Sequence, residues 1–292
     1  SEGTRVNYST APVETQNIPT SITATGTIEP VTEVEVGTQV SGIIDRIYVD
    51  YNSEVHRGQV IAELDKTNLL SKLASAQSNL SNAQSSLNYQ SANYKRYKTL
   101  YEKGLVSAND YENAKLSYEQ ALQQVKVQQQ NVTEAQTNLG YATITSPIDG
   151  VVLSKEVEEG QTVASAMTTP TLFIIAQDLT DMRVIADIDE ADIGGVKEGQ
   201  RVTFTVDAFP DDIFEGAVTQ VRQQATTESN VVTYEVVISA PNDQLKLKPG
   251  LTANVTIYTL EKNGALAVPA RALRFTPNEA LLQDGETVED VQ

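Results

Sequence analysis

Between Lys66 and Leu139 the apolar and polar positions follow a seven-residue period found nowhere else in the chain. Leu73, Leu80, Leu87, Tyr94 and Tyr101 recur every seventh residue, and Ala76, Ala83, Gln90 and Tyr97 stand at the second seam position. The pattern breaks at Lys103-Gly104 and then restarts. Tyr111, Tyr118, Val125, Val132 and Leu139 are again seven apart, with Ala114, Ala121, Gln128 and Ala135 at the second position. A sustained heptad keeps one seam turned toward a partner helix. The break is too short for a parallel return, so the spacing predicts two antiparallel helices, each roughly 50 Å long at about 1.5 Å per residue. Asp65 or Thr67 is placed to cap the first. Ser107 is placed to cap the second, with Asp110 three residues on in a variant of the capping box.

The segments flanking this hairpin repeat one another. Val40-Ser41-Gly42-Ile43-Ile44, Val49, Asn52, Val55 and Gly58 precede it; Gly150-Val151-Val152, Val157, Gly160 and Val163 follow it. With Gly42 laid on Gly150, Val49 falls on Val157, Asn52 on Gly160 and Val55 on Val163 without a gap. Asn tolerates positive φ better than other non-glycine residues, so Asn52 and Gly160 can make the same turn. Each copy runs on into an apolar strand, Val60 to Leu64 and Leu172 to Ala176, and the second carries an extra loop, Ala164 to Thr171. One β domain is thus split, with the helices inserted at its edge.

The remainder alternates with period two and is rich in Val, Ile and Thr. Four or five strands between residues 179 and 262, with turns at Glu198-Gly199, Phe209 to Asp212, Pro241 to Asp243 and Pro249-Gly250 and a short helical piece near Glu190–Ile193, predict a small barrel. Short strands at the two ends, Arg5 to Tyr8 and Ile18 to Gly26 on one side and Leu266 to Pro269 on the other, cannot bury a core alone and are expected to pair. Beyond them the C-terminal residues turn acidic and weakly patterned.

Charge and composition narrow the chemistry. A formal net charge of −18 over 292 residues argues against a nucleic-acid partner, whose phosphates need a basic surface. Cysteine is absent, and the one histidine, His56, rules out a multi-histidine metal site. No apolar run reaches the roughly 18 residues of a membrane-spanning helix. Asp187, Asp189, Glu190 and Asp192 cover part of a calcium-loop spacing but lack its position-12 glutamate, and read as a solvated turn. There is no Ser-His-Asp set, phosphate loop or paired acid/base site, so no catalysis, cofactor or metal is expected.

The split β domain resembles the biotinyl/lipoyl fold. A carrier of that fold bears its cofactor on a lysine at the hairpin between its halves, and Lys66 lies close to that point. The long helical insertion there argues against a carrier, since it replaces the tight hairpin.

A lipoyl-like domain split by a helical hairpin and followed by a barrel is similar to the periplasmic adaptors, or membrane fusion proteins of the HlyD type, of bacterial tripartite efflux pumps. At the helical turn that family carries an Arg, a Leu four later and a Ser seven after that; here these are Arg96, Leu100 and Ser107. The resemblance implies that they contact the tip of a TolC-like outer-membrane channel. Leu172 to Ile193 is most similar to the macrolide-adaptor subgroup (MacA), which implies an ABC transporter of the MacB type and a hexameric funnel. Adaptors of RND pumps and of type I secretion remain alternatives. The subgroup's gating glutamine in the lipoyl loop is absent; Met167 and Thr168 take its place, and a ring of Met167 could form an apolar constriction. The resemblance further implies a periplasmic protein, held at the inner membrane of a Gram-negative bacterium by a segment absent from this chain.

The fold class expected is mainly β with a long α-helical hairpin in an elongated, multidomain chain. Residues 1–27 and 265–292 form a membrane-proximal β domain, 28–36 and 179–264 the barrel, 37–65 and 140–178 the lipoyl-like sandwich, and 66–139 the hairpin.

Overall fold

The computed structural model describes residues 10–12, 14–16, 20–260 and 265–267. They fall into two compact units: Pro30–Leu179, and Ser1–Glu29 with Thr180–Gln292. In chain order come β1 (Glu14–Gln16), β2 (Thr20–Pro30), β3 (Glu33–Gly37), β4 (Gly42–Ile47), β5 (Glu54–Val55) and β6 (Val60–Leu64). The helices α1 (Thr67–Glu102) and α2 (Ala108–Tyr141) follow, then β7 (Thr143–Thr145), β8 (Gly150–Lys155), β9 (Thr162–Val163) and β10 (Thr171–Ala176). The chain continues through β11 (Asp181–Asp189), α3 (Glu190–Ile193), β12 (Arg201–Val206), β13 (Phe209–Glu228), β14 (Val231–Pro241), β15 (Thr252–Leu260) and β16 (Ala265–Ala267).

In the first unit two four-stranded sheets, β3-β10-β8-β5 and β7-β6-β4-β9, form a sandwich. The sequence repeat is visible as a pseudo-twofold: β4, β5 and β6 of one copy correspond to β8, β9 and β10 of the other, and each copy lends its two-residue strand to the opposite sheet. Asn52 and Gly160 both take positive φ, 68° and 85°. Each turn then hydrogen-bonds the other half in the same way. Asn52 N–H donates to the Val152 carbonyl and Gly160 N–H to that of Ile44, both at 2.8 Å. In return Val152 N–H donates to Ser53 and Ile44 N–H to Gln161, both at 2.9 Å. Ile44, Val49, Val55, Val152, Val157 and Val163 share one core with Leu64, Leu172, Phe173 and Ile175.

The hairpin leaves this sandwich from β6 and returns into β7. Its inward residues are the heptad positions. Ala76, Ala83, Ala114, Ala121 and Val132 are buried, while the leucines and tyrosines of the seam are half-buried or more exposed. Small seam residues let the helices approach closely but bury little area, worth about 25 cal/mol per Å². Asp65 holds the start of α1, its Oδ1 accepting the N–H of Thr67 at 2.8 Å and the hydroxyl of Thr67 at 2.7 Å. These hydrogen bonds keep its carboxyl below the usual carboxylate range.

In the second unit β11-β14-β13-β12-β15-β2 close into a six-stranded barrel around Met182, Val184, Ile188, Phe204, Val236, Ile238, Val255 and Ile257. Two expectations are corrected here. Residues 20–27 belong to the barrel, because β2 pairs along β15 from Thr27↔Thr252 to Thr20↔Leu260, and residues 33–36 belong to the sandwich through β3. Gly26 permits that closure: a Cβ there would lie 2.5 Å from Val184 Cγ1. The turn expected at Phe209 to Asp212 falls at Asp207-Ala208, and β13 runs on through Pro210. The short helix near Glu190–Ile193 is present as α3. β1 pairs antiparallel with β16, Glu14 opposite Ala267. The expected strand at Arg5 to Tyr8, the start of the next at Ile18-Pro19, the expected continuation of β16 at Val268-Pro269 and the acidic C-terminal stretch lie outside the described residues.

The repeat makes unequal demands on its two glycines. A Cβ on Gly150 would lie 2.0 Å from the Ala176 carbonyl oxygen, whereas one on Gly42 would meet the flexible Leu64 side chain at 3.2 Å. Gly150→Ala is expected to cost about 2–3 kcal/mol and Gly42→Ala about 1 kcal/mol or less, measured by chemical denaturation. The depressed Asp65 pKa gives stability that is present above the ordinary carboxylate value and lost as pH falls below it, through the lowered folded-state value. Asp65→Ala should therefore lower the melting temperature at neutral pH, and the gap to the parent should close on acidification.

Candidate functional site at the hairpin tip

Backbone hydrogen bonds determine the turn between α1 and α2. Gly104 takes a φ of 73° after the helix, its N–H donating to the Tyr101 carbonyl, while Leu105 N–H donates to that of Leu100; both are 2.9 Å. This pair of bonds is the Schellman arrangement, which a left-handed glycine allows. Three residues on, Ser107 starts α2, its Oγ accepting the Asp110 N–H at 3.0 Å. The chain therefore reverses through a turn with both helix ends satisfied.

Arg96, Leu100 and Ser107 all lie at this end of the hairpin. Arg96 is exposed and donates from Nη1 to Asn93 Oδ1 at 3.3 Å. Leu100 is half-buried, with its carbonyl used in the turn. Ser107 is exposed while its oxygen caps α2. Leu105, which sequence reading passed over as part of the break, is 68% exposed at the turn.

Sequence reading also missed an aromatic stack. Tyr118, Tyr94, Tyr111 and Tyr101 lie in succession, with centroid separations of 5.3, 5.9 and 4.8 Å. The hydroxyls of Tyr94 and Tyr111 are 3.4 Å apart, and this contact, with burial, raises the Tyr111 pKa. The signal was available. All four hold the first seam position next to the break, and antiparallel pairing interleaves them.

Met167 and Thr168 lie in the extra loop of the second copy. Met167 is 96% exposed. The base of the loop is fastened. Ser165 N–H donates to Ser41 Oγ at 2.9 Å, the Thr171 hydroxyl donates to Glu35 Oε2 at 3.2 Å, and Gly37 lies so close that a Cβ would be 2.6 Å from the Pro170 carbonyl oxygen. Lys66 sits at the start of α1, half-buried, and not on a tight hairpin of the kind a swinging carrier requires.

The four carboxylates Asp187, Asp189, Glu190 and Asp192 are divided between the end of β11 and α3. Asp187 is held above the usual carboxylate range by burial and by Glu235 and Glu228. Among the described residues no group of His, Cys, Asp and Glu could hold a metal ion, and no helix is long and apolar enough to cross a membrane.

Residues 32–175 match the family described as RND MFP, barrel-sandwich hybrid domain, and residues 182–257 match the YknX-like beta-barrel domain. The chain is 30% identical to the pyoverdine export membrane fusion protein PvdR of Pseudomonas putida, over 94% of this chain and 78% of that protein. It is 28% identical to the macrolide export protein MacA of Yersinia pestis, over 92% of this chain and 76% of that one. The crystal structure of MacA from Actinobacillus actinomycetemcomitans superposes with a TM-score of 0.64 at 36% identity, covering 89% of this chain and 84% of the other. With sandwich, inserted hairpin and barrel all in the matched order, the chain belongs to the membrane fusion protein family and is MacA-like.

Proposed function

We propose that this chain is the periplasmic adaptor of a tripartite efflux pump, joining an inner-membrane transporter to a TolC-like outer-membrane channel in a conduit for small-molecule export. The observation that carries the reading is the tip. A rigid, doubly capped turn presents Arg96, Leu100 and Ser107 at the far end of a hairpin whose base is fastened into the sandwich. Both the PvdR and the MacA relatives are named for export. The transporter is of the ABC, MacB type. This is supported by the likeness to MacA over both the sandwich and the barrel. An RND partner is the second reading, favoured by the family description matched at residues 32–175.

In this reading the protein performs no catalysis. It couples the state of the transporter to the channel. The barrel and the β1–β16 pair serve the transporter side, with the adaptor held at the inner membrane. Six copies form a ring of sandwiches, with the loop bearing Met167 and Thr168 toward the conduit. The outer faces of the hairpin are rich in Ser, Gln and Asn, which suits lateral packing that must remain reversible.

Arg96→Asp or Leu100→Asp is expected to weaken channel binding at least about tenfold, about 1.4 kcal/mol, and to abolish drug tolerance in a strain that depends on this pump. Retention of both would sink the docking role. Met167→Ala is expected to change efflux or ion permeability through the reconstituted assembly, since it removes the apolar side chain at the loop apex. Unchanged permeability would remove Met167 from the conduit.

A further inference from the structure

The chain as a whole is acidic, yet the hairpin is not. Within the unit Pro30–Leu179, residues 30–65 and 142–179 carry twelve acidic residues against three basic ones, while residues 66–141 carry eight basic against five acidic. Four of the eight basic residues stand together on the α1 side of the tip. Lys95, Arg96, Lys98 and Lys103 fall in the last turns of α1 and its cap, with Glu102 the one acid among them. All four cations are exposed, and among the described residues none has a carboxylate within ion-pair distance.

Helix stability does not account for this cluster. Cations favour the C-terminal end of a helix dipole only within its last turn. That covers Lys103, but Lys95, Arg96 and Lys98 lie further back. The seam does not use them either, since Tyr94, Tyr97 and Tyr101 hold the inward positions there. Four unpaired cations on the end of a rod whose base is acidic form a polarised surface. An acidic body approaching it is repelled by the sandwich and drawn to the α1 side of the tip.

The other side of the turn carries the opposite sign. Asp110 and Glu112 open α2. A uniformly anionic lipid surface would be repelled there. A protein can set acids against the α1 side and avoid them opposite α2.

We infer that the tip docks onto an acidic protein surface, with Lys95, Lys98 and Lys103 steering the approach and Arg96 anchoring the contact. The inference rests on the reading of the tip as the channel-docking end, and it gives the chemistry of the partner's face. Charges of this kind act mainly on the association rate and on its salt dependence.

The test compares the parent with the triple variant K95Q/K98Q/K103Q, which keeps Arg96, Leu100 and Ser107. Binding to the purified cognate TolC-like channel in detergent is followed kinetically from about 50 to about 500 mM salt, a range over which surface charges become screened. The parent's association rate should fall at least about tenfold across that range, whereas the variant should start low and vary little, with dissociation nearly unchanged. A thermal melt matching the parent's checks that the hairpin remains folded. A variant with the parent's rate and salt slope would overturn the inference and leave the docking reading intact. A parent that does not bind the channel at any salt would overturn the docking reading itself. Tip-dependent binding to phosphatidylglycerol vesicles, with none to the channel, would assign the cations to a lipid surface and overturn the inference as well.

Discussion

Everything the hairpin does depends on two turns that each hydrogen-bond the other half of the sandwich. Asn52 and Gly160 reverse the chain with positive φ, and their N–H groups reach the backbone of Val152 and Ile44 across the repeat. The two copies are separated in sequence by the whole of α1 and α2. Without that mutual clasp each copy would be a small sheet with an open edge, unable to bury Ile44, Val152 or Leu64. With it, β6 and β7 lie side by side, paired from Val60↔Thr145 to Glu63↔Thr143, and the helices they lead into start from a fixed base. The direction in which the tip is presented follows from this backbone geometry.

Much of this was legible in the sequence because the signals are periodic. The heptads fix both helices to within a few residues, and the repeat spacing identifies Asn52 and Gly160 as equivalent turns before any coordinate is known. At the tip, Ser107 reads as a cap from its spacing to Asp110, and it is one. What was not legible is partner choice. β2 alternates, but Ala24 and Gly26 are small, so the pattern says strand without saying which sheet; its place in the barrel is decided by β15 and by the close approach of Gly26 to Val184. Pro210-Asp211-Asp212 has turn composition, yet β13 carries it within a strand that pairs irregularly with β12. Local composition cannot encode an edge that tolerates it. The tyrosine stack failed for the same reason, since each arm shows its own tyrosines while the stack exists only once the arms interleave.

The stack also explains how a thin seam can hold a tip in place. Alanine at the buried positions keeps the helices close but adds little apolar burial, which suffices near the base, where β6 and β7 already fix both chains. Far from the sandwich the hairpin has only its own seam. There the second-position alanines of α1 end at Ala83, and tyrosines interdigitate instead. Each contributes a large ring, half-buried at Tyr94, Tyr111 and Tyr118, and stacked pairs add about 0.5–1.5 kcal/mol beyond area alone. Three such pairs strengthen the end of the rod that would otherwise fray first. Rigidity at that end is what a docking surface needs, because a contact made by Arg96, Leu100 and Ser107 on a fraying turn would lose part of its binding energy to ordering. The aromatic stack within the tip and the charges on its outside are therefore complementary: one holds the turn still, and on the docking reading the other would select what approaches it.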